Sequence, residues 1–387
     1  MRLGFYYHYA VLFKEGKPYL PGFLGVFVDA LAERVEELVL FAHSTQSDPS
    51  GLYDYPLSSR IRIVNMHPRH SAWYRHFFHA RFLKPIQHEL NQCDMILLRA
   101  PSPLVPFFKR YCKTAKPVYL VVGDYALSAR EKKINSWRDR LVLAFNLHHD
   151  RVFRRTMRST DIVVNSPALF RTYVPIAKSC QQVRTTTLRE SDFFLRGDDS
   201  PRSTQSILFT GRITPEKGLF ELMQGFCQLA QLYPDLELHI VGWETDSRQP
   251  VQTKLLQAAE KENMAHRIYF HGKKAIGPEL NAMYQNASIY VMPSYHEGFP
   301  RTIWEAMANG LPVVATRVGA IPDYLTHEKD ALLIDPRKVD QIREAIQRII
   351  IEPELRMNLI RNGYALAREN TLEKQTDHLL HCLQRVM

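Results

Sequence analysis

The stretch IYVMPSYHEGFPRTIWEAMANGLPVVAT, residues 289–316, holds one folding unit from end to end. Ile289–Met292 is an apolar run that stops at Pro293, a residue with no N–H to give to a sheet ladder. Residues 301–309 read as a helix, with Pro300 near its start and Gly310 just past its end. Val313, Val314 and Ala315 begin a second apolar run. Neither run alternates with polar residues, so both are strands buried on two faces. Strand, helix and buried strand in that order imply a parallel sheet with a right-handed crossover.

The same alternation extends in both directions. Apolar runs at 207–210, 238–241, 268–270 and 332–334 alternate with helical patterns near 217–232, 251–262, 278–286, 337–351 and 353–368. The first half repeats the plan less cleanly. It has candidate strands at 3–6, 38–42, 61–64, 95–98, 118–122 and 162–164, and a loop at 18–25 leading into a helix near 25–37. A chain of 387 residues is too long for one ordinary core and suits two domains. The expected fold class is α/β, with two doubly wound Rossmann-like domains facing a cleft. They span residues 1–196 and 201–369, joined by the polar stretch 196–201, and the terminal segment 370–387 crosses back onto the first.

Bulk properties narrow the class further. No window approaches the ~20 consecutive apolar residues of a membrane span. The first residues read as a strand and not as a signal peptide. Five scattered cysteines with no C-x-x-C pair argue against a disulfide framework or zinc site and for a reducing compartment. Residues 1–200 hold 29 Lys and Arg against 18 Asp and Glu, while residues 201–387 hold 21 against 22. All of the positive excess therefore lies in the first half, which points to an acidic partner there.

Three turns carry candidate chemistry. Gly211 to Gly218 follows a strand and places Arg212 and Lys217 on one loop. Arg grips a diphosphate as a fork and Lys as a point charge; the plain alternative is a solvated loop with two surface cations. The second turn holds Glu297 and Glu305, eight positions apart. The helix starting at Arg301 and Thr302 offers free backbone N–H groups to an anion. Glu305, a turn inside it, suits the diol of a ribose, and Glu297 on the loop suits sugar hydroxyls. Read singly, each glutamate is equally a dipole partner or a surface acid. The third turn, Arg317 to Asp323, has Gly319 at its centre and is weak alone.

Taken in order, Gly211-Arg212 through Lys217-Gly218, Glu297-Gly298-Phe299, Glu305-Ala306, Gly310-Leu311-Pro312 and Val318-Gly319 resemble the donor-binding domain of GT-B glycosyltransferases. The likeness is to the retaining group with an E-x7-E motif, glycosyltransferase family 4. It covers about residues 205–370, and the first half matches only in outline. The resemblance implies transfer of a hexose from a nucleotide sugar with retention and without a bound metal. It implies that Arg212 and Lys217 grip the diphosphate beside Gly211, that Glu305 holds the ribose, and that Glu297 contacts the hexose. Phe299 and Pro300 would offer backbone groups, and Gly272 and Lys273 would lie near the base, with UDP ahead of GDP. Four positions depart from the family pattern. Pro300 stands where a glycine is usual, the first loop reads Gly22-Phe23 in place of Gly-Gly, and the late loop reads Gly319-Ala320. Where many members carry a His, the chain has Asp124, which either orients the reacting sugar or caps a helix.

The acceptor side is expected on the basic half. At residues 71–84, Tyr74, Phe77, Phe78 and Phe82 fall on one helical face, with Arg75, His79, Arg81 and Lys84 interleaved or opposite. Residues 130–158 combine Trp137, Leu141 and Phe145 with Arg138, Arg140, Arg151, Arg154, Arg155 and Arg158. Aromatics with cations describe a helix lying on an anionic bilayer; the alternative is a core stripe with solvated charges. The expected setting is the cytoplasmic face of a membrane, with a lipid-linked or oligosaccharide acceptor in cell-surface polysaccharide or glycolipid synthesis. A nucleotide-sugar epimerase of the same architecture, a nucleic-acid-binding protein using the basic half, and a donor-binding scaffold without turnover are the rival readings. No RNP, zinc-finger or homeodomain signature supports nucleic acid.

Overall fold

The computed structural model describes residues 1–48, 51–124, 136–195, 205–244 and 250–387. The expected linker at 196–201 lies outside the described residues. The chain divides into two compact units, Met1–Thr185 with Glu373–Met387, and Thr186–Leu372.

The second unit is a parallel sheet in the order β12-β11-β10-β13-β14-β15. Its strands are β10 (Gln205–Thr210), β11 (Leu236–Val241), β12 (Ile268–Phe270), β13 (Ile289–Met292), β14 (Val313–Thr316) and β15 (Leu332–Ile334). All five pairings are parallel. Ile289, Tyr290, Val291 and Met292 are all buried, as are Val313 to Thr316, because helices cover both faces. The order reverses direction between β10 and β13, so the two loops that follow these strands flank the switch point of the sheet.

The boundary of this unit falls earlier than residues 196–201. Leu188 is part of its core, the Leu372 N–H donates to the Leu188 carbonyl at 2.6 Å, and the Phe194 N–H donates to the Ala308 carbonyl at 2.9 Å. Residues 186–195 are thereby stitched to the helices of the second unit before the polar stretch begins.

In the first unit, β5 (Ile61–Pro68), β3 (Glu37–Thr45), β1 (Arg2–Lys14), β6 (Met95–Ala100), β7 (Lys116–Val121), β8 (Asp161–Val164) and β9 (Ser179–Gln182) are parallel neighbours in that order. This sheet also switches direction, between β1 and β6. The expected loop at 18–25 is different in the structure. Strand β1 runs on to Lys14, turns through Glu15 and Gly16, and pairs antiparallel with β2 (Lys17–Leu20), which pairs with β4 (Tyr55–Pro56). The helix then starts at Gly22 and ends at Ala32, not near 37, because Glu37 already belongs to β3. In the terminal helix Leu372–Gln384, Asp377 accepts from Arg34 Nε at 2.7 Å and Gln375 from the Arg184 N–H at 2.8 Å.

The expected single helix at 71–84 is broken. Ala72–Phe77 and His79–Leu83 are separate short helices meeting at Phe78, whose ψ of 34° leaves the helical range. The four rings therefore form no single stripe, although Tyr74 still meets Phe78 at 4.8 Å and Phe82 at 6.2 Å. Phe82 and Arg75 go into the core, while Trp73, Phe77 and Phe78 are exposed.

Candidate active site

The loops after β10, β11, β13 and β14 are laced together at the carboxyl edge of the second sheet. The Gly211 N–H donates to the Val241 carbonyl and the Gly242 N–H to the Gly272 carbonyl, each at 2.9 Å. The Tyr295 N–H donates to the Glu216 carbonyl and the Ala320 N–H to the Gly298 carbonyl, each at 2.8 Å. Among the contacts so close that only glycine fits, two hold the loops of Lys217 and Glu297. A Cβ on Gly218 would lie 2.1 Å from the Pro293 carbonyl oxygen, and one on Gly319 would lie 1.8 Å from that of Glu297. Both glycines hold positive φ, +67° and +57°. The first close approach fixes the Lys217 loop against the end of β13. The second fixes the Glu297 loop against the turn after β14.

This lacing brings Lys217 and Glu297 together. Lys217 Nζ donates to Glu297 Oε1, and the two side chains are 11% and 12% exposed. They come from the two sides of the switch point, 80 residues apart. Arg212, on the same loop as Lys217, is exposed. The sequence placed Lys217 on a phosphate and Glu297 on a sugar, and offered no sign that the two pair.

Glu305 is set differently. The residue is 9% exposed and its carboxylate points into a polar network. Thr187 Oγ1 donates to Oε1 at 3.1 Å and the Tyr284 hydroxyl to Oε2 at 2.8 Å. Tyr284 is in turn 2.8 Å from Thr210 Oγ1, which is 3.2 Å from the Tyr290 hydroxyl. Burial, then the charge of Glu305, holds the Tyr284 phenol well above its usual range, so it remains a donor. Burial lowers the Arg301 guanidinium from its ordinary value, and Glu305 acts the other way. Arg301 Nη1 lies 3.5 Å from Thr187 Oγ1. Thr302 has its hydroxyl enclosed close to the Tyr290 phenol. Thr187, Tyr284, Thr210 and Tyr290 went unnoticed in the sequence. They lie on separate elements, and only packing joins them.

The remaining positions frame these groups. Phe299 stacks on Trp304 at 4.4 Å and meets Tyr324 edge-on at 5.0 Å. The Pro300 carbonyl accepts from the Ile303 N–H at 3.2 Å, opening the helix Arg301–Ala308. Gly272 follows β12 with a φ of +67°, and Lys273 Nζ lies 5.5 Å from the Trp243 ring centre.

Residues 195–366 match the family model of the glycosyl transferases group 1. A D-inositol 3-phosphate glycosyltransferase of Pseudarthrobacter chlorophenolicus is 32% identical over 158 residues, 40% of this chain and 37% of that protein. An uncharacterized glycosyltransferase of Haemophilus influenzae is 27% identical over 172 residues, 44% and 46% of the two chains. The match thus spans less than half the length of these relatives. Among solved structures, Anabaena HepE in complex with UDP superposes with a TM-score of 0.76 at 17% identity, covering 100% of both chains. WaaG, a glycosyltransferase involved in lipopolysaccharide biosynthesis, does so with 0.66 at 16% identity, covering 97% of this chain and 98% of its own. The fold is that of the GT-B glycosyltransferases.

The first unit of this GT-B chain holds the other two expected positions. The Gly22 N–H donates to Asp54 Oδ1 at 2.8 Å, so that donor is already engaged. Asp124 Oδ2 accepts from Arg154 Nη2 and from the Tyr173 hydroxyl, each at 3.1 Å. This carboxylate ties the end of β7 to the helices Trp137–Met157 and Pro167–Tyr173. Residues 125–135 lie outside the described residues, and with them a capping role for Asp124 and the start of the basic run at 130–158. Asp124→Ala is expected to cost about 1–3 kcal/mol in urea unfolding, because Arg154 and Tyr173 lose an acceptor. If turnover also falls more than tenfold in protein that is still folded, Asp124 belongs to the reaction as well.

Proposed function

We propose that the protein is a retaining glycosyltransferase that moves a hexose from a nucleoside diphosphate sugar to a saccharide acceptor without a bound metal. One observation carries this reading. Lys217 and Glu297 converge across the switch point of the second sheet, within the residues that match the group 1 transferases. Doubly wound sheets take nucleotides at that place. In this reading Arg212 and Lys217 neutralise the diphosphate as it leaves, which stabilises the transition state where charge develops. Binding of the donor draws Lys217 toward phosphate and frees Glu297 for the hexose. Glu305 has two donors and about four lone-pair sites, so a ribose diol finds acceptors there. Gly272 and Lys273 flank the base. UDP is the favoured nucleotide, since the neighbour HepE is a UDP complex and is also described with UDP-glucose.

Calorimetric titration with UDP, GDP and ADP and their hexose conjugates tests the donor site. UDP is expected to bind, and Arg212→Ala to weaken it by about tenfold or more, the size of one charge-assisted contact. If none of the nucleotides bound, the transferase reading would be sunk.

The acceptor is placed on lipid at the cytoplasmic face of a membrane, in polysaccharide or glycolipid synthesis. Two things support this. Trp73, Phe77, Phe78, Trp137, Leu141 and Val142 are exposed, and Phe145 lies 6.4 Å from Phe77 between the two groups. Arg138, Arg140, Arg151 and Arg155 are exposed along the same helix as Trp137. No helix among the described residues is long and apolar enough to cross a membrane, so association would be peripheral. Flotation is expected to carry the protein with anionic vesicles at low salt and to release it near about 1 M salt, where screening is short-ranged. Trp73→Ser with Phe77→Ser should weaken flotation. Equal behaviour with neutral and anionic vesicles would count against the membrane.

A further inference from the structure

One edge of the second sheet carries a chain of polar side chains that runs to its carboxyl end. Glu237 and His239 stand two residues apart on β11, so they share a face, and Tyr269 on β12 is paired with His239. His271 is the first residue past β12. Glu237 Oε2 is 3.1 Å from His239 Nε2, and His239 Nδ1 is 2.9 Å from His271 Nε2. The Tyr269 hydroxyl donates to the other carboxylate oxygen at 3.3 Å. The rings stack, Tyr269 on His239 at 5.0 Å and His239 on His271 at 5.1 Å, with interplanar angles of 21° and 12°. Stack and hydrogen bond together hold the His271 ring in one orientation.

The first member of the chain sets the protons of the rest. A carboxylate only accepts, so His239 Nε2 carries the proton of that bond. In a neutral imidazole the other nitrogen is then bare, so His239 Nδ1 accepts from His271 Nε2–H. Burial, the His239 ring and the Lys274 ammonium all lower the pKa of His271, which keeps its ring neutral at pH 7. His271 Nδ1 is therefore a lone-pair acceptor. Among the described residues nothing donates to it, and it is not enclosed. This acceptor stands where the donor loops are laced. The His271 N–H donates to the Ile240 carbonyl at 3.0 Å, and the next residue, Gly272, accepts from the Gly242 N–H. Nδ1 is one bond nearer the main chain than Nε2. With Nε2 held on β11, the bare nitrogen lies beside the backbone that leads into Gly272.

We propose that His271 reads the base of the nucleotide donor by accepting the ring N–H of uracil at Nδ1, and that Glu237 and His239 are positioning residues that fix its tautomer. This rests on the transferase reading given above, with the base at Gly272 and Lys273, and adds how the base is chosen. Uracil bears an N–H at the ring position where cytosine bears a lone pair. Two lone pairs set face to face leave both unpaired, and a site built around a substrate N–H rejects the analogue that lacks it.

Calorimetric titration of the full chain with UDP and with CDP tests it. The parent is expected to bind UDP at least about tenfold more tightly than CDP, the worth of one hydrogen bond made or lost. His271→Phe keeps a ring in the stack and removes both nitrogens. Its preference should fall to about threefold or less, through weaker binding of UDP. Glu237→Gln offers His239 an N–H as readily as an oxygen, so the tautomer is released and the preference should fall as well. The Glu237 side chain is 30% exposed, so this second variant gives the reading even if His271→Phe does not fold. A merely structural role for these residues would weaken both nucleotides alike and leave their ratio unchanged. If the parent binds CDP as tightly as UDP, if the folded variants keep the parental ratio, or if another nucleotide binds and UDP does not, this proposal is overturned while the transferase reading stands. If no nucleoside diphosphate binds, both fall together.

Discussion

Lys217→Ala is expected to lower kcat/KM for the nucleotide sugar by about 10²–10³-fold, the loss seen when one preorganised group facing developing charge is removed. The lysine sits at the end of a loop that Gly218 locks against Pro293, so its backbone is positioned before substrate arrives. Only the side chain has to swing, from Glu297 to phosphate, when the donor binds. The same change has a second effect. Glu297 is 12% exposed and loses the cation that faces it. Breaking one half of an enclosed pair costs up to about 3–5 kcal/mol. The two effects separate in the double variant Lys217→Ala with Glu297→Gln. Its urea midpoint should return toward the parent value, because the unpaired charge is gone, while turnover stays low. Turnover within tenfold of the parent in Lys217→Ala would remove the lysine from the reaction.

Gly319→Ala should destabilise the second unit by about 2–5 kcal/mol. The left-handed backbone costs a residue with a Cβ about 1–2 kcal/mol. The added carbon would also sit 1.8 Å from the Glu297 carbonyl oxygen, which is backbone and cannot swing aside. Overpacking of that kind adds about 1–3 kcal/mol. Relief comes only by pushing the Glu297 loop outward, which would part Glu297 from Lys217. The variant is therefore expected to lose donor-dependent turnover as well as stability. Thermal unfolding and initial rates on the same preparation check both. A variant with parental stability would show that the turn after β14 is looser than its contacts require.

Much of the second unit was legible in the sequence. Ile289–Met292, Leu332–Ile334 and Pro353–Arg368 stand where apolar runs, prolines and helical spacing put them. The two strands are buried on both faces, the helix buries one stripe through Leu359, Gly363 and Ala367, and all three are bounded by residues that stop one structure and begin another, so local chemistry decides them. The first unit was less legible. Its opening strand continues into a hairpin because Leu12 and Phe13 find partners in Tyr19 and Pro18, a pairing that no local pattern announces. The aromatic run at 71–84 has helical spacing but breaks at Phe78, with Phe82 drawn into the core beside His43 and Tyr74.

The candidate site divides in the same way. Residue type and order at strand ends marked Gly211, Arg212, Lys217, Glu297 and Glu305, because each turn must supply particular backbone freedom and charge. Which of them meet was not in the order of residues. Lys217 faces Glu297 because two strands distant in the chain are neighbours at a switch point. Glu305 turns inward because Thr187 and Tyr284, from two other segments, reach its oxygens. By itself the sequence determined the alternation of strands and helices, and with it a doubly wound sheet. Tertiary structure alone decided the pairings of charge and hydroxyl, since those depend on distances between segments that only the packed sheet sets.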